Sequence, residues 1–597
     1  MNIELLKILR ECNKNNQCTQ HELAENCHFT LGKTNNLVNN LLEKGLLKNA
    51  ENGFGVTEAG QNLLEEHRVD NAIILAAGFG SRFVPVTYET PKGLVEVFGE
   101  RMIERQIKQL LEAGITDITV VVGYKKEKFE YLIDKYGVKL VYNEEYDTKN
   151  NLATVYHVRH LLKNTYILTS DNYFTKNLYN KYEFEAWYCA VKSEGYTPEW
   201  CLQIDDNNRI VDVEIGGTDM WHMYGSVFFS QDFSDTLVPL LEKAYHTPGT
   251  EDDYWEHVFM NNLESFEMYI NPQGPNVVYE FESLEELREF DTSYRENSKS
   301  ETMSLLSFIF NIKEDEIKNI KPIKVGMTNN SFRFSISEKQ YVCRIPGQGT
   351  ENLIHRNEEY ESIQAVQPLR ITENIVYIDP KTGIKISEYE TGSRSADEQN
   401  EIELRKSMNL LRELHTSGIV VPHHFDIKQQ ILFYEDLCKT HKAVLFEDFS
   451  EVREKMNDLL SVLEKMDLPS VFCHIDAHVD NILVLPDGKL KLIDWEYSAM
   501  CDPVIDLSMF ALYSNYNQEQ LENIINYYFE NGPTDEERLR IYMYISLSGF
   551  LWSMWAQYKQ ALGVKFGDYT LKMYRYAKNY YKKSMELMGE RKYESTK

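Results

Sequence analysis

The chain has 597 residues, 43% of them hydrophobic and 26% charged, with a formal charge of −30 from 63 Lys and Arg against 93 Asp and Glu. At roughly 100–200 residues per domain the length points to about three domains, and the composition excludes a disordered chain, a collagen-like chain and a disulfide miniprotein. So acidic a surface repels nucleic acid and anionic lipid in general, so any contact with either must be local.

Residues 1–67 read as short helices and a hairpin. Thr19 and Glu22 have capping-box spacing ahead of a helix through Cys27. A second helix over 31–44 turns Leu37, Leu41 and Leu42 to one face and stops at Gly45. Leu46-Leu47, Asn52-Gly53-Phe54-Gly55 and Val56-Thr57 predict strand, turn and strand, and a last helix covers 58–67. The pattern is similar to a winged helix-turn-helix. A DNA-reading helix should display Lys and Arg, and 31–44 offers only Lys33 and Lys44 beside several asparagines. Phosphate contacts dominate DNA affinity, so dimerisation, docking or a regulatory remnant is favoured over operator binding for this segment.

The 9 cysteines are scattered, with no CxxC pair and no Cys/His ladder, which argues against a disulfide framework or a structural zinc. The first residues lack a charged-then-apolar leader pattern, and no apolar run reaches membrane-spanning length. A soluble, cytoplasmic protein without membrane insertion is expected.

From Asn71 the pattern changes. Ile73-Ile74-Leu75 is a short buried strand running into a glycine turn; Ile103, Ile107, Leu110 and Leu111 mark a helix; 118–122 is a strand; 152–162 is a helix; and 166–168 is a strand. Strands alternating with helices imply a parallel sheet with ligands at the strands' carboxyl ends. The turn reads Leu75-Ala76-Ala77-Gly78-Phe79-Gly80-Ser81-Arg82-Phe83, followed by Pro91-Lys92-Gly93. Glycines let backbone N–H groups approach phosphate oxygens, and Arg82 and Lys92 supply charge against phosphates and a leaving pyrophosphate.

This loop resembles the signature of nucleotidyltransferases of the sugar-nucleotide and choline-phosphate class, over about 71–290. Val122-Gly123-Tyr124-Lys125, Asn143, Asn150-Asn151, Ser170-Asp171-Asn172-Tyr173, Glu199-Trp200, Asp253-Tyr254-Trp255-Glu256 and Tyr279-Glu280 favour the bacterial choline-phosphate cytidylyltransferase branch. The resemblance implies nucleotide contacts from Leu75, Ala76, Ala77, Gly78, Gly80, Tyr124, Asn151 and Ser170, with Lys92 and Arg82 catalytic. Asp171 is expected to hold Mg²⁺, with Glu256 or Glu280 as second ligand. The family often has an acid two residues before the metal aspartate; Thr169 stands there in this chain, which shifts weight to the distal acids. Trp200, Tyr254 and Trp255 are expected to cage a quaternary ammonium, which offers no N–H to a hydrogen bond; each ring could equally be core.

The stretch 291–303 is polar and reads as a linker. Beyond it, 325–344 reads as a hairpin, while 398–414 and much of 518–583 read as helices. His474-Ile475-Asp476-Ala477-His478-Val479-Asp480-Asn481 precedes Ile493-Asp494-Trp495-Glu496-Tyr497. An Asp, an Asn five positions on and a strand-borne Asp give a base for a substrate hydroxyl (Asp476) and metal ligands against ATP phosphates (Asn481, Asp494). The loop looks like that of the aminoglycoside-phosphotransferase and choline-kinase superfamily, over about 304–583. Gly326-Met327-Thr328-Asn329-Asn330-Ser331 resembles its nucleotide loop, with Asn329 and Ser331 as contacts. Arg344 sits where a lysine is usual in related kinases, with Glu358 as its expected partner and Glu359 and Glu361 as rivals. Ser387-Glu388-Tyr389 is the expected adenine hinge. Trp552 and Trp555, three apart on a helix, with Tyr569, Glu496 and Tyr497, are the expected choline box.

The fold class expected is therefore multidomain α/β and α+β: a winged helix-turn-helix (1–67), a Rossmann-like nucleotidyltransferase (71–290), a linker (291–303) and a bilobal protein-kinase-like domain (304–597). The function expected is bifunctional, choline plus ATP to phosphocholine and then phosphocholine plus CTP to CDP-choline and pyrophosphate, with Mg²⁺ as cofactor. The expected partners are these small molecules, with self-association left open. Two alternatives stand: a sugar-1-phosphate nucleotidyltransferase fused to a sugar or aminoglycoside kinase, which needs a hydrogen-bonding pocket, and a ligand-sensing transcription regulator, which needs impaired motifs.

Overall fold

The computed structural model describes residues 2–14, 18–323, 329–347, 354–564 and 566–594. They fall into two units, residues 1–320 and 321–597. Among the described residues no helix is long and apolar enough to cross a membrane.

The first unit opens with helices Ile3–Lys14, Gln20–Asn26 and Leu31–Glu43, the hairpin Leu47–Ala50 with Gly53–Val56, and helix Glu58–Glu65. Thr19 and Glu22 form the anticipated capping box, and Thr30 and Thr57 cap the next two helices through their hydroxyls. Leu5, Ile8, Leu9, Val38, Leu41 and Leu64 fill this small core, and Tyr182 from far along the chain completes it.

The rest of the unit is built on a mixed sheet. Strand Asn71–Ala76 is buried along its whole length and pairs in parallel with Ile118–Val122 and Thr165–Thr169; Lys139–Tyr142 extends the parallel part. Burial on both faces explains its unbroken apolar run. Beyond Thr165–Thr169 the pairing turns antiparallel through Trp221–Phe229, Tyr196–Ile204 and Ile210–Thr218, so the parallel sheet expected from sequence makes up only one side of the sheet, ending at Lys139–Tyr142. The strand ends are laced together: Ser170 N donates to Leu75 O at 3.0 Å, and Tyr124 N to Ala77 O at 3.1 Å. That lacing brings the glycine turn and Asp171 to one edge.

Residues 291–303 include the one-turn helix Thr292–Arg295 and the start of helix Glu301–Phe310. The Glu89 carboxylate accepts four hydrogen bonds from Ser300, Glu301 and Thr302, and Asp291 accepts the Phe98 N–H at 2.7 Å.

In the second unit, strands Asn329–Ile336, Lys339–Pro346, Lys385–Glu388 and Ile375–Ile378 are antiparallel neighbours in that order, with helix Arg356–Val366 inserted in sequence between Lys339–Pro346 and Ile375–Ile378. Residues 325–328 of the expected hairpin, including Gly326, lie outside the described residues. A helical part follows. Helix Asp535–Ala561 is buried on all sides from Leu539 to Lys559, its buried Arg540 paired with Asp502, and it packs against helices Val504–Tyr513, Ile427–Thr440 and Tyr569–Glu594. Two small antiparallel pairs, Val471–Cys473 with Ala499–Cys501 and Ile482–Val484 with Leu490–Leu492, hold the loop that carries Asp476 and Asn481.

Candidate active sites

In the first unit a cavity of about 210 Å³ opens at the carboxyl ends of the central strands. Leu75, Ala76, Ala77, Gly78, Gly80, Asn151, Ser170, Lys92 and Asp171 line it, as anticipated, together with Asn150 of the Asn150-Asn151 pair and with Tyr146, Lys149 and Thr154, which sequence reasoning did not single out. Gly80 has φ +67°, a left-handed conformation in which a side chain is strained. A Cβ on Gly93 would come within 2.6 Å of the Ser170 hydroxyl oxygen, so glycine alone lets the lysine loop approach the strand end.

Lys92 Nζ donates to Asp171 at 2.8 Å and lies 3.8 Å from Glu280. Burial and the neighbouring Asp171 carboxylate push the Glu280 carboxyl up to about 7. Two carboxylates facing one cation are oxygen donors of the kind a hard divalent ion takes, so Asp171 and Glu280 fit Mg²⁺. Glu256, the other expected ligand, is placed elsewhere. Its carboxylate accepts from Tyr188 OH at 3.2 Å and from Asn151 Nδ2 at 3.4 Å, and burial pushes it up to about 7. Arg82 is largely exposed and pairs with Glu282. Tyr124 packs edge-on against Phe79, ring centroids 4.6 Å apart, outside the residues that line the cavity.

Of the three expected cage aromatics, two meet. Trp200 and Tyr254 lie 5.5 Å apart and perpendicular, and His257, which the sequence reading missed, stands 5.4 Å from Trp200 with its Nδ1 3.1 Å from Asp253. Trp255 is a correction: it is 1% exposed, stacked on Tyr188 and edge-on to Phe229, and belongs to the core. Successive residues at a helix start point to different sides, so adjacent Tyr254 and Trp255 cannot both face one pocket.

In the second unit a cavity of about 310 Å³ is lined by Asn329, Ser331, Arg344, Glu388, Tyr389, Asn481 and Asp494, all singled out from sequence. It is also lined by Glu373 and Lys385, a buried ion pair at 2.6 Å that carried no sequence signal. The Arg344 guanidinium spans Glu359 at 2.7 Å and Asp494 at 3.0 Å. Glu358 is thus corrected to Glu359: on helix Arg356–Val366, Glu359 shares the buried face with Ser362, Ile363 and Val366, while Glu358 points away from it. Glu496 is corrected as well. Its carboxylate accepts from Asn329 Nδ2 at 3.0 Å and Arg356 at 3.3 Å, on the Arg344 side and not among the aromatic rings.

Asp476 accepts from Asn481 Nδ2 at 2.9 Å. Burial, with the Asp494 carboxylate, raises its carboxyl well above the usual range. The loop is fixed from below by Asp506, a residue without a sequence signal, which accepts from the backbone N–H groups of His474 and Ile475 at 3.0 and 2.6 Å and from His415 at 2.9 Å. The expected aromatic group forms: Trp552 and Trp555 lie 5.8 Å apart and perpendicular, Tyr497 is 6.0 Å from Trp552, and Tyr569 is 6.4 Å from Trp555. Tyr513 and Phe566, not singled out before, join it at 5.9 Å from Trp552 and 5.0 Å from Trp555. Tyr513 also links it to the catalytic loop through His478, whose ring lies 4.8 Å away and whose Nε2 is 3.8 Å from Asp476.

Known proteins resemble separate stretches of the chain. Residues 3–48 match a winged helix-turn-helix DNA-binding family, 71–187 a nucleotidyl transferase family and 319–542 a phosphotransferase enzyme family. The choline-phosphate cytidylyltransferase of Streptococcus pneumoniae is 36% identical over 220 residues, 37% of this chain and 96% of that protein. The 2-aminoethylphosphonate cytidylyltransferase of Lancefieldella rimae is 36% identical over 228 residues, 38% of this chain and 93% of that protein. The solved structure of choline kinase LicA from Streptococcus pneumoniae is 28% identical, covering 48% of this chain and 100% of that one with a TM-score of 0.43.

Proposed function

We propose, from the premise that the chain belongs to the cytidylyltransferases of the nucleotidyl transferase family, that it is a bifunctional enzyme of CDP-choline synthesis. Its second unit phosphorylates choline with ATP, and its first transfers the cytidylyl group of CTP to the phosphocholine so made. The observation that carries this reading recurs in each unit: a cavity lined by acidic and amide side chains is joined through a few bonded residues to a group of aromatic rings, by Asn151 and the Asp253–His257 segment in the first unit and by Asn481, Asp476, His478 and Tyr513 in the second.

In the phosphotransfer site Asp476 orients the choline hydroxyl and takes its proton as the oxygen attacks the γ-phosphorus and the bond to the β-phosphate oxygen breaks, releasing ADP. Arg344, locked between Glu359 and Asp494, grips phosphate oxygens. The rings of Trp552, Trp555, Tyr497 and Tyr569 receive the trimethylammonium group through π-faces, each desolvated contact worth about 2 kcal/mol. Asn481 and Asp494 would hold Mg²⁺ there.

In the transfer site a phosphocholine oxygen attacks the α-phosphorus of CTP and pyrophosphate leaves. Backbone N–H groups about Gly78 and Gly80 cradle phosphate oxygens. Lys92 stabilises charge at the reacting phosphorus, and Arg82 receives the leaving pyrophosphate after exchanging its Glu282 partner. Asp171 and Glu280 would hold Mg²⁺, which when bound neutralises phosphate charge and aligns the groups to be joined. Trp200, Tyr254 and His257 take the quaternary ammonium, with the Asp253 carboxylate nearby. A sugar substrate would instead need a comb of hydroxyl-binding side chains.

The test is incubation of the full chain with ATP, CTP, Mg²⁺ and, in separate reactions, choline, ethanolamine and 2-aminoethylphosphonate, with products read by mass. Phosphocholine and then CDP-choline are expected in the first reaction. No consumption of choline, or faster cytidylylation of 2-aminoethylphosphonate than of phosphocholine, would overturn the reading.

A further inference from the structure

The two substrates of the transfer site are held by parts of the chain that are bolted together. Asn151 lines the nucleotide cavity, yet neither end of its amide is free: Oδ1 accepts the Trp255 N–H at 2.9 Å, and Nδ2 donates to Glu256 at 3.4 Å. The second Glu256 oxygen accepts from Tyr188 OH at 3.2 Å. Three further bonds join the same two segments: Asn150 N to Glu251 O at 2.8 Å, Asn150 Nδ2 to Asp252 O at 3.2 Å and Leu152 N to Asp253 O at 3.3 Å. The segment so fastened carries Tyr254, and His257 follows it, the two side chains that meet Trp200. Trp255, between Tyr188 and Phe229, pins it to the core.

We infer that Asn151 and Glu256 are positioning residues that couple occupancy of the nucleotide pocket to occupancy of the aromatic pocket, so that each substrate tightens the other. The inference rests on the cytidylyltransferase reading above. A nucleotide that fixes Asn151 also fixes the segment presenting Tyr254 and His257, and phosphocholine then meets rings already in place. Such coupling is reciprocal by thermodynamic necessity and typically amounts to about 5–150-fold in affinity. Glu256 is the keystone because it is buried and serves both Asn151 and Tyr188. Truncated to alanine, it leaves two donors unsatisfied and frees the amide of Asn151 to turn. As glutamine it keeps one accepting oxygen and presents an N–H group to the other donor, so the linkage is halved.

The experiment is calorimetric titration of the full chain with phosphocholine, with and without saturating α,β-methylene CTP, which cannot be transferred, and the converse titration. In the unaltered protein the analogue should lower the phosphocholine Kd at least fivefold, and phosphocholine should lower the analogue's Kd by the same factor. Glu256→Ala should bring the factor close to one, and Glu256→Gln should leave an intermediate value, which serves if the alanine variant fails to fold. Absence of mutual tightening in the unaltered protein, or full tightening in the folded Glu256 variants, overturns the inference and leaves the assigned activity standing. Failure of the unaltered protein to bind either ligand overturns the assigned activity itself.

Discussion

Arg10 of the first helix donates to one oxygen of Glu183 at 2.9 Å, and the other oxygen of that carboxylate takes the hydroxyl of Tyr166 at 2.7 Å. Tyr166 is on strand Thr165–Thr169, which ends two residues before Asp171. The amino-terminal helices are thereby wired to the backbone of the transfer site. Residues 1–67 carry six Lys and Arg against nine Asp and Glu, and their one arginine is paired with Glu183.

Arg10→Ala should therefore destabilise the first unit by about 3 kcal/mol, the usual cost of stranding one half of a buried ion pair. Thermal denaturation followed by intrinsic fluorescence checks it: the transition of the first unit should move down and that of the second should not. An unchanged transition would mean that the module is merely tethered.

Asp476→Ala should lower ATP-dependent choline phosphorylation by on the order of 10³-fold and leave cytidylylation of added phosphocholine intact. Lys92→Ala should lower cytidylylation by on the order of 10²–10³-fold and leave the kinase step intact. Separate half-reaction assays decide; loss of both activities in a folded single variant contradicts independent chemistry.

Trp552→Leu should raise the KM for choline about 30-fold, corresponding to a desolvated cation–π contact of about 2 kcal/mol, with the KM for ATP unchanged. An equal rise for ATP would place Trp552 in general packing.

Glu256 supplies a pH dependence. Its folded carboxyl is raised to about 7 by burial, so the folded state holds a proton that the unfolded chain releases near the ordinary carboxylate value. Stability from this group is full at acidic pH and falls as pH rises toward 7, by ~3 kcal/mol at most. Comparing melting of the unaltered protein and Glu256→Gln from pH 5 to 7.5 should show a steeper decline in the former. Parallel profiles would mean that Glu256 is ionised throughout.

Much of both sites could be read directly from local sequence, because the chemistry sits in short runs: the glycine turn with Lys92, and the loop from His474 to Asn481. What escaped was set by direction or by distance. Glu358 and Glu359 are neighbours, and only the pose of helix Arg356–Val366 selects which one faces Arg344. Tyr254 and Trp255 divide between pocket and core for the same reason. Asp506 and His415 act on a loop some thirty and sixty positions away without any motif. The docking of Arg10 on Glu183 joins positions 173 apart, which periodicity cannot see.

The cluster of donors that Ser300, Glu301 and Thr302 present to Glu89 bears on how this chain could be dissected. Glu89 stands three positions before Lys92. A fragment ending at residue 290 would strip that carboxylate of its four donors and slacken the very turn that carries Lys92. A surgical cut that spares cytidylylation would have to fall beyond Phe310, where helix Glu301–Phe310 ends.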